Sequence, residues 1–191
     1  MAVLRSHHRE GRLFFGECLA GSLKPASYVF RDVLGGVAFR VDQISPWRLW
    51  HFTKIRGALA LELGLLETKS GEEFAARRRG PFWKPRWEVL DPGGTILFSY
   101  VPASFWGTSL TVTAAQTGEV AAARVPNPLL VWRQRALLSG LDGGDLANMS
   151  WSEYSLSLGC HRRVRVEVFE ASWELAAIAL AAIRWSALQQ R

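Results

Sequence analysis

Apolar and polar residues alternate in short runs along most of the chain, and near the carboxyl end the alternation stops. Residues 171–188, ASWELAAIALAAIRWSAL, contain nine uncharged, mostly apolar positions in succession between Glu174 and Arg184. Ala and Leu dominate the stretch and neither Gly nor Pro interrupts it, so it predicts a helix roughly 27 Å long. Apolar groups on every side of a helix mean that it is enclosed all round. A membrane span is one alternative, although about 20 predominantly apolar residues are needed and Glu174, Glu170 and Glu167 crowd the near end. A helix buried between subunits is another.

The remaining pattern is that of strands and tight turns. Ile96, Phe98 and Tyr100 share one face and Thr95 and Ser99 the other; Val164, Val166 and Val168 oppose Arg163, Arg165 and Glu167 in the same way. Segments 28–31 and 37–41 flank Asp32-Val-Leu-Gly35-Gly36, and 87–90 and 95–101 flank Asp91-Pro92-Gly93-Gly94. In both, Asp stands three positions before a Gly, as a type I turn followed by a positive-φ residue requires. Weaker copies lead through Gly71 into 72–79 and through Gly118 into 119–125, and regular turn signals of this kind indicate an all-β sandwich or barrel. Further strands are expected at 12–19, 47–54, 57–67, 108–113, 129–138 and 152–158. Of these, 57–67 is as helical in composition as it is extended, and 141–148 reads as a loop. The prediction is a mainly β protein: a closed antiparallel barrel of about twelve strands around a buried C-terminal α-helix. Residues 1–11 form a flexible N-terminus and 12–188 one domain, since no stretch is both polar and long enough to be a linker.

The units YVFRDVLGGVAFRV (28–41), WEVLDPGGTILFSYV (87–101) and LTVTAAQTGEVAAARV (110–125), with the closing pair RVRVEVFE and ASWELAAIALAAIRW (163–185), resemble the tubby-like superfamily. Within it the likeness is to LURP-one-related proteins and phospholipid scramblases, and it spans residues 12–188. The resemblance implies a twelve-stranded barrel threaded by the last helix, with phosphoinositide binding through basic surface residues or a calcium-dependent role at membranes. The acidic calcium segment of scramblases is not matched, because the corresponding stretch 158–165, LGCHRRVR, is basic. Their cysteine-rich palmitoylation cluster and proline-rich tail are also missing.

Composition narrows the functional classes. Nine Trp and ten Phe among 49% apolar residues supply a substantial core and exclude disorder. Cys18 and Cys160 lack metal-ligand spacing and are expected as small buried groups. The opening MAVLRSHHREGR has no long apolar run before its charges, so the expected location is cytoplasmic, peripheral at the membrane if lipid is bound. A net charge of +6, carried by 19 Arg and only 4 Lys, suits anionic partners: lipid headgroups or nucleic acid. An Arg- and Ala-rich composition also fits a GC-rich genome.

The densest basic group is 77–87, RRRGPFWKPRW, with Arg77, Arg78, Arg79, Lys84 and Arg86 around Phe82 and Trp83 and no acid among them. Cations there could meet phosphates while the aromatics dip into a bilayer interface or stack on bases. The bland alternative is a solvated connection whose aromatics pack back on the barrel. Arg162, Arg163 and Arg165 would reinforce it only if adjacent in space. Asp142, Asn148 and Glu153 fall at EF-hand positions 1, 7 and 12, but Gly144, Leu146 and Ala147 spoil the rest of the loop. His7, His8, His51 and His161 are scattered, and no nucleophile-elbow, zinc-protease, phosphate-loop or dinucleotide fingerprint occurs. The expectation is a non-enzymatic barrel without metal or cofactor that binds anionic phospholipid at a membrane surface. The alternative is a soluble barrel holding a small apolar ligand in its interior or mouth.

Overall fold

The computed structural model describes residues 11–18, 27–44, 62–80, 86–103, 108–125, 134–155 and 160–189. Twelve strands follow one another: β1 (Arg12–Cys18), β2 (Ser27–Asp32), β3 (Val37–Gln43), β4 (Glu62–Glu67), β5 (Glu73–Arg79), β6 (Arg86–Leu90), β7 (Ile96–Pro102), β8 (Ser109–Ala114), β9 (Val120–Arg124), β10 (Gln134–Gly140), β11 (Asp145–Ser155) and β12 (Cys160–Val168). A 3-10 turn, Ala171–Trp173, leads into α1 (Glu174–Gln189). Each strand pairs antiparallel with its neighbours in sequence. β1 also pairs with β12, from Arg12 opposite Val168 to Glu17 opposite Arg163, and this closes the barrel.

The period-two pattern sorts the side chains as expected. Val164, Val166 and Val168 are at most 1% exposed, while Arg163 and Arg165 between them face solvent. Twelve strands enclose a lumen too wide for wall side chains alone to fill. The helix fills it: every residue from 176 to 183 is buried. Five of those eight are Ala, which keeps the rod thin, and it meets a wall that is itself small at Ala76, Ala121, Ala123, Ala136 and Ala147. The sheet of the same chain, and neither bilayer nor a second subunit, is what surrounds this helix.

One buried polar contact ties wall to rod. The Tyr100 hydroxyl donates to the Ala176 carbonyl at 2.9 Å. Burial pushes the phenol well above its usual 10.0. The folded chain therefore keeps a proton that the unfolded chain releases above about pH 10, so stability falls as pH rises through that range. Tyr100→Phe is expected to remove this share of the alkaline fall and to cost about 0.5–1.5 kcal/mol at neutral pH, read from urea melts at pH 8 and pH 10.5.

The two ends of the barrel differ. Five hairpin turns, each with a positive-φ glycine (Gly35, Gly71, Gly94, Gly118 and Gly143), lie at the end where α1 enters. Asp32 Oδ1 accepts the N–H groups of Leu34 and Gly36 at 3.0 and 2.9 Å, and Asp91 Oδ1 accepts that of Thr95 at 2.8 Å. Apart from the four residues between β11 and β12, longer connections join the strands at the other end.

Three boundaries differ from the sequence pattern. Residues 141–148 are not one loop. The turn occupies only 141–144, with Gly143 at φ 83 and Asp142 Oδ1 accepting the Gly144 N–H at 3.0 Å, and β11 starts at Asp145 because Leu146 and Ala147 have a core to enter. The helix proper begins at Glu174 after its 3-10 turn. The ambiguous segment 57–67 is a strand over Glu62–Glu67, and β3 pairs directly with β4. The strand expected at 47–54, and residues 1–10, 57–61 and 129–133, lie outside the described residues.

Candidate functional site

The basic stretch sits at the long-connection end, on the hairpin of β5 and β6. Register pairs Arg77 with Glu88, Arg78 with Trp87 and Arg79 with Arg86. Alternation then divides the arginines between two faces. Phe74, Ala76 and Arg78 share the inner side of β5, and Trp87 opposite Arg78 packs against the core. Burial there lowers the Arg78 guanidinium from its ordinary value, so Arg78 does not belong to the outer group.

Arg77, Arg79 and Arg86 face outward, and two carboxylates organise them. Arg77 Nε donates to Glu62 Oε1 of β4 at 2.9 Å. Glu88 accepts a short hydrogen bond from Arg86 Nη2, and its other oxygen lies 3.7 Å from Arg79 Nε. The Glu88 side chain is 9% exposed, whereas Arg79 and Arg86 remain 59% and 50% exposed. A nearly buried carboxylate thus holds two solvent-facing guanidinium groups together. Three cations against two anions leave this outer cluster with a net positive charge, smaller than 77–87 alone implies.

Glu62 and Glu88 are the site residues that the basic stretch does not reveal. Glu88 follows the stretch directly and shares a face with Arg86 by two-residue spacing, a signal that a hairpin register would have exposed. Glu62 comes from another strand. Phe82, Trp83 and Lys84 lie outside the described residues.

The second basic group does not reinforce the first. Arg163 and Arg165 lie on β12, six strands from β6 in either direction around the ring, and therefore on the opposite wall. Arg165 bonds Glu167 on its own strand. The side chain of Arg162 is outside the described residues. Cys18 is a half-buried thiol against the core, and Asp142, the first nominal EF-hand position, holds its own hairpin turn. Among the described residues no group of three or more His, Cys, Asp or Glu side chains could hold a metal ion, and no helix is long and apolar enough to cross a membrane.

Fold and site together define a closed antiparallel β-barrel with an enclosed helix and a carboxylate-braced arginine cluster on its outer wall. No protein-family model matches the chain, and no curated protein matches it. A crystal structure of a protein from Arabidopsis thaliana is similar over 90% of this chain and 91% of that one, at 14% identity and a TM-score of 0.50. At that identity the likeness concerns the fold alone.

Proposed function

We propose that this chain is a non-enzymatic, tubby-like binding barrel that takes anionic phospholipid headgroups at a membrane surface through the β5–β6 end. The observation that carries this reading is the fixed, solvent-facing group of Arg79 and Arg86 around Glu88, with Arg77 beside it. Planar guanidinium groups held in place can meet phosphate oxygens in pairs, at less ordering cost than free side chains. The location that goes with this role is cytoplasmic and peripheral. An apolar ligand inside the barrel has less support, because α1 occupies the lumen. Nucleic acid would share the phosphate chemistry and serves as the competitor in the test.

Cosedimentation with vesicles of neutral lipid, with and without an acidic component, tests the proposal. Each cation near an anionic bilayer contributes about 1 kcal/mol, so Arg77→Glu/Arg79→Glu is expected to weaken binding by at least about thirtyfold. Raising the salt should weaken the wild-type protein in the same direction. Equal binding to neutral vesicles, or no loss in the double variant, would count against it, as would displacement by single-stranded oligonucleotide at lower concentration than by acidic lipid.

A further inference from the structure

The arginine cluster continues downward into an apolar depression on the same outer wall. Gly64 of β4 and Ala75 of β5 are register partners, and Asp42 and Leu90 flank them on β3 and β6. Two side chains this small, side by side, leave the sheet surface bare. The depression above them has a volume of about 470 Å³, within the usual range for small-molecule sites. Leu66 closes the end toward the tight turns, Leu90 one side and Ile44 the other, while Arg77 stands at the end toward the long connections.

Glycine at position 64 makes room for this shape. A Cβ there would stand 2.8 Å from Ile44 Cδ1, so the missing side chain lets Ile44 lean over β4 as a wall. Ile44 itself is 59% exposed, so its side chain forms the rim of the depression on that side. On the outer face of β5 the order from turn end to connection end is Glu73, Ala75, Arg77, Arg79. An apolar floor therefore gives way to guanidinium groups within one strand.

We infer that this depression holds the hydrocarbon chain of a single anionic lipid, with the chain over Gly64 and Ala75 and the phosphate at Arg77, Arg79 and Arg86. The inference rests on the headgroup reading above and adds that the ligand is an individual amphiphile, taken by tail as well as head. Charge selects this occupant. The cationic end is adjacent to the apolar floor; at the opposite end Arg40 is held by Asp42 at 2.9 Å, which leaves Glu73 and Asp91 in excess, and these carboxylates would repel an anionic head and so fix the direction in which the chain lies.

Dodecyl phosphate below its micellar concentration, inorganic phosphate and a neutral dodecyl glycoside are the probes, followed by calorimetry on the full chain. Dodecyl phosphate is expected to bind about a hundredfold more tightly than inorganic phosphate, as the burial of several methylene groups requires. Ala75→Phe fills the depression from the outer wall, and should reduce dodecyl phosphate binding at least tenfold with no effect on inorganic phosphate. If that variant melts differently from the wild type, Leu66→Glu supplies the same readout by charge. Dodecyl phosphate binding no tighter than inorganic phosphate, or unaltered by Ala75→Phe, would overturn the tail site. Vesicle binding that persists in Ala75→Phe while dodecyl phosphate binding is lost would support both the headgroup reading and the groove. Vesicle binding absent from the wild type would sink the headgroup reading by itself. A wild-type dimer that Ala75→Phe dissociates would assign the depression to a second copy and overturn the inference.

Discussion

Truncation of the chain after Glu170 is expected to abolish cooperative folding. The segment removed carries Trp173, Ile178, Leu180 and Ile183, all buried inside the barrel. At about 1.5–3 kcal/mol for each side chain, they contribute roughly 6–12 kcal/mol. That is comparable with the entire net stability of a typical domain, about 5–15 kcal/mol. The loss is worse than subtraction implies, because the wall residues Val112, Leu138, Met149 and Val166, each 0% exposed in the intact protein, would then line an empty lumen. The truncated chain should show no near-ultraviolet circular dichroism and no sigmoidal thermal transition. A sharp transition in that chain would mean that the sheet is stable without its filling.

The second large effect is expected at one residue. Trp173 is 3% exposed on the 3-10 turn where the chain enters the lumen, and its ring lies 5.8 Å from that of Phe98, centroid to centroid. It stoppers the tight-turn end of the barrel. Trp173→Ala should cost about 3–5 kcal/mol, the usual range for removing a buried aromatic that its surroundings cannot replace. Urea titration should show a lowered midpoint with an unchanged slope. Phe15→Ala is the control: that ring is 45% exposed on the outer wall, and its removal should cost about 0.5 kcal/mol or less. Equal costs for the two would show that the end of the barrel is not packed as described.

What could be seen in the sequence follows from the range of the forces involved. The turns at Asp32 and Asp91 were legible because everything they need lies within five residues: a carboxylate to accept local N–H groups and a glycine to take the positive φ. The enclosed helix was legible because nine apolar residues in a row have no polar face to offer water. Residues 141–148 misled because Asp142, Gly143, Gly144 and Asp145 look like a long loop, whereas one left-handed glycine compresses the turn and burial of Leu146 and Ala147 draws the rest into β11. At the candidate site the arginines were visible and their partners were not. Glu62 meets Arg77 only through the pairing of β4 with β5, and Arg78 leaves the outer group only through the pleat of β5. The placement of Arg163 and Arg165 on the far wall depends on the order of all twelve strands, which no local pattern contains. The depression above Gly64 and Ala75 is of the same kind, being made of small residues that acquire meaning once register sets them side by side.

The pairing of β1 with β12 has a consequence for biogenesis. β1 finds one of its two neighbours only when β12, eleven strands later, has been made, and the rod that fills the ring is later still. Until then a growing sheet must wait with an open edge and an uncovered greasy side, a state prone to adhere to other nascent chains. Contacts so distant in sequence also slow the final closure, toward the millisecond-to-second range. Yield in the cell should therefore depend on how well chaperones shield the unfinished sheet, and slower translation of the late strands would prolong the exposure instead of relieving it.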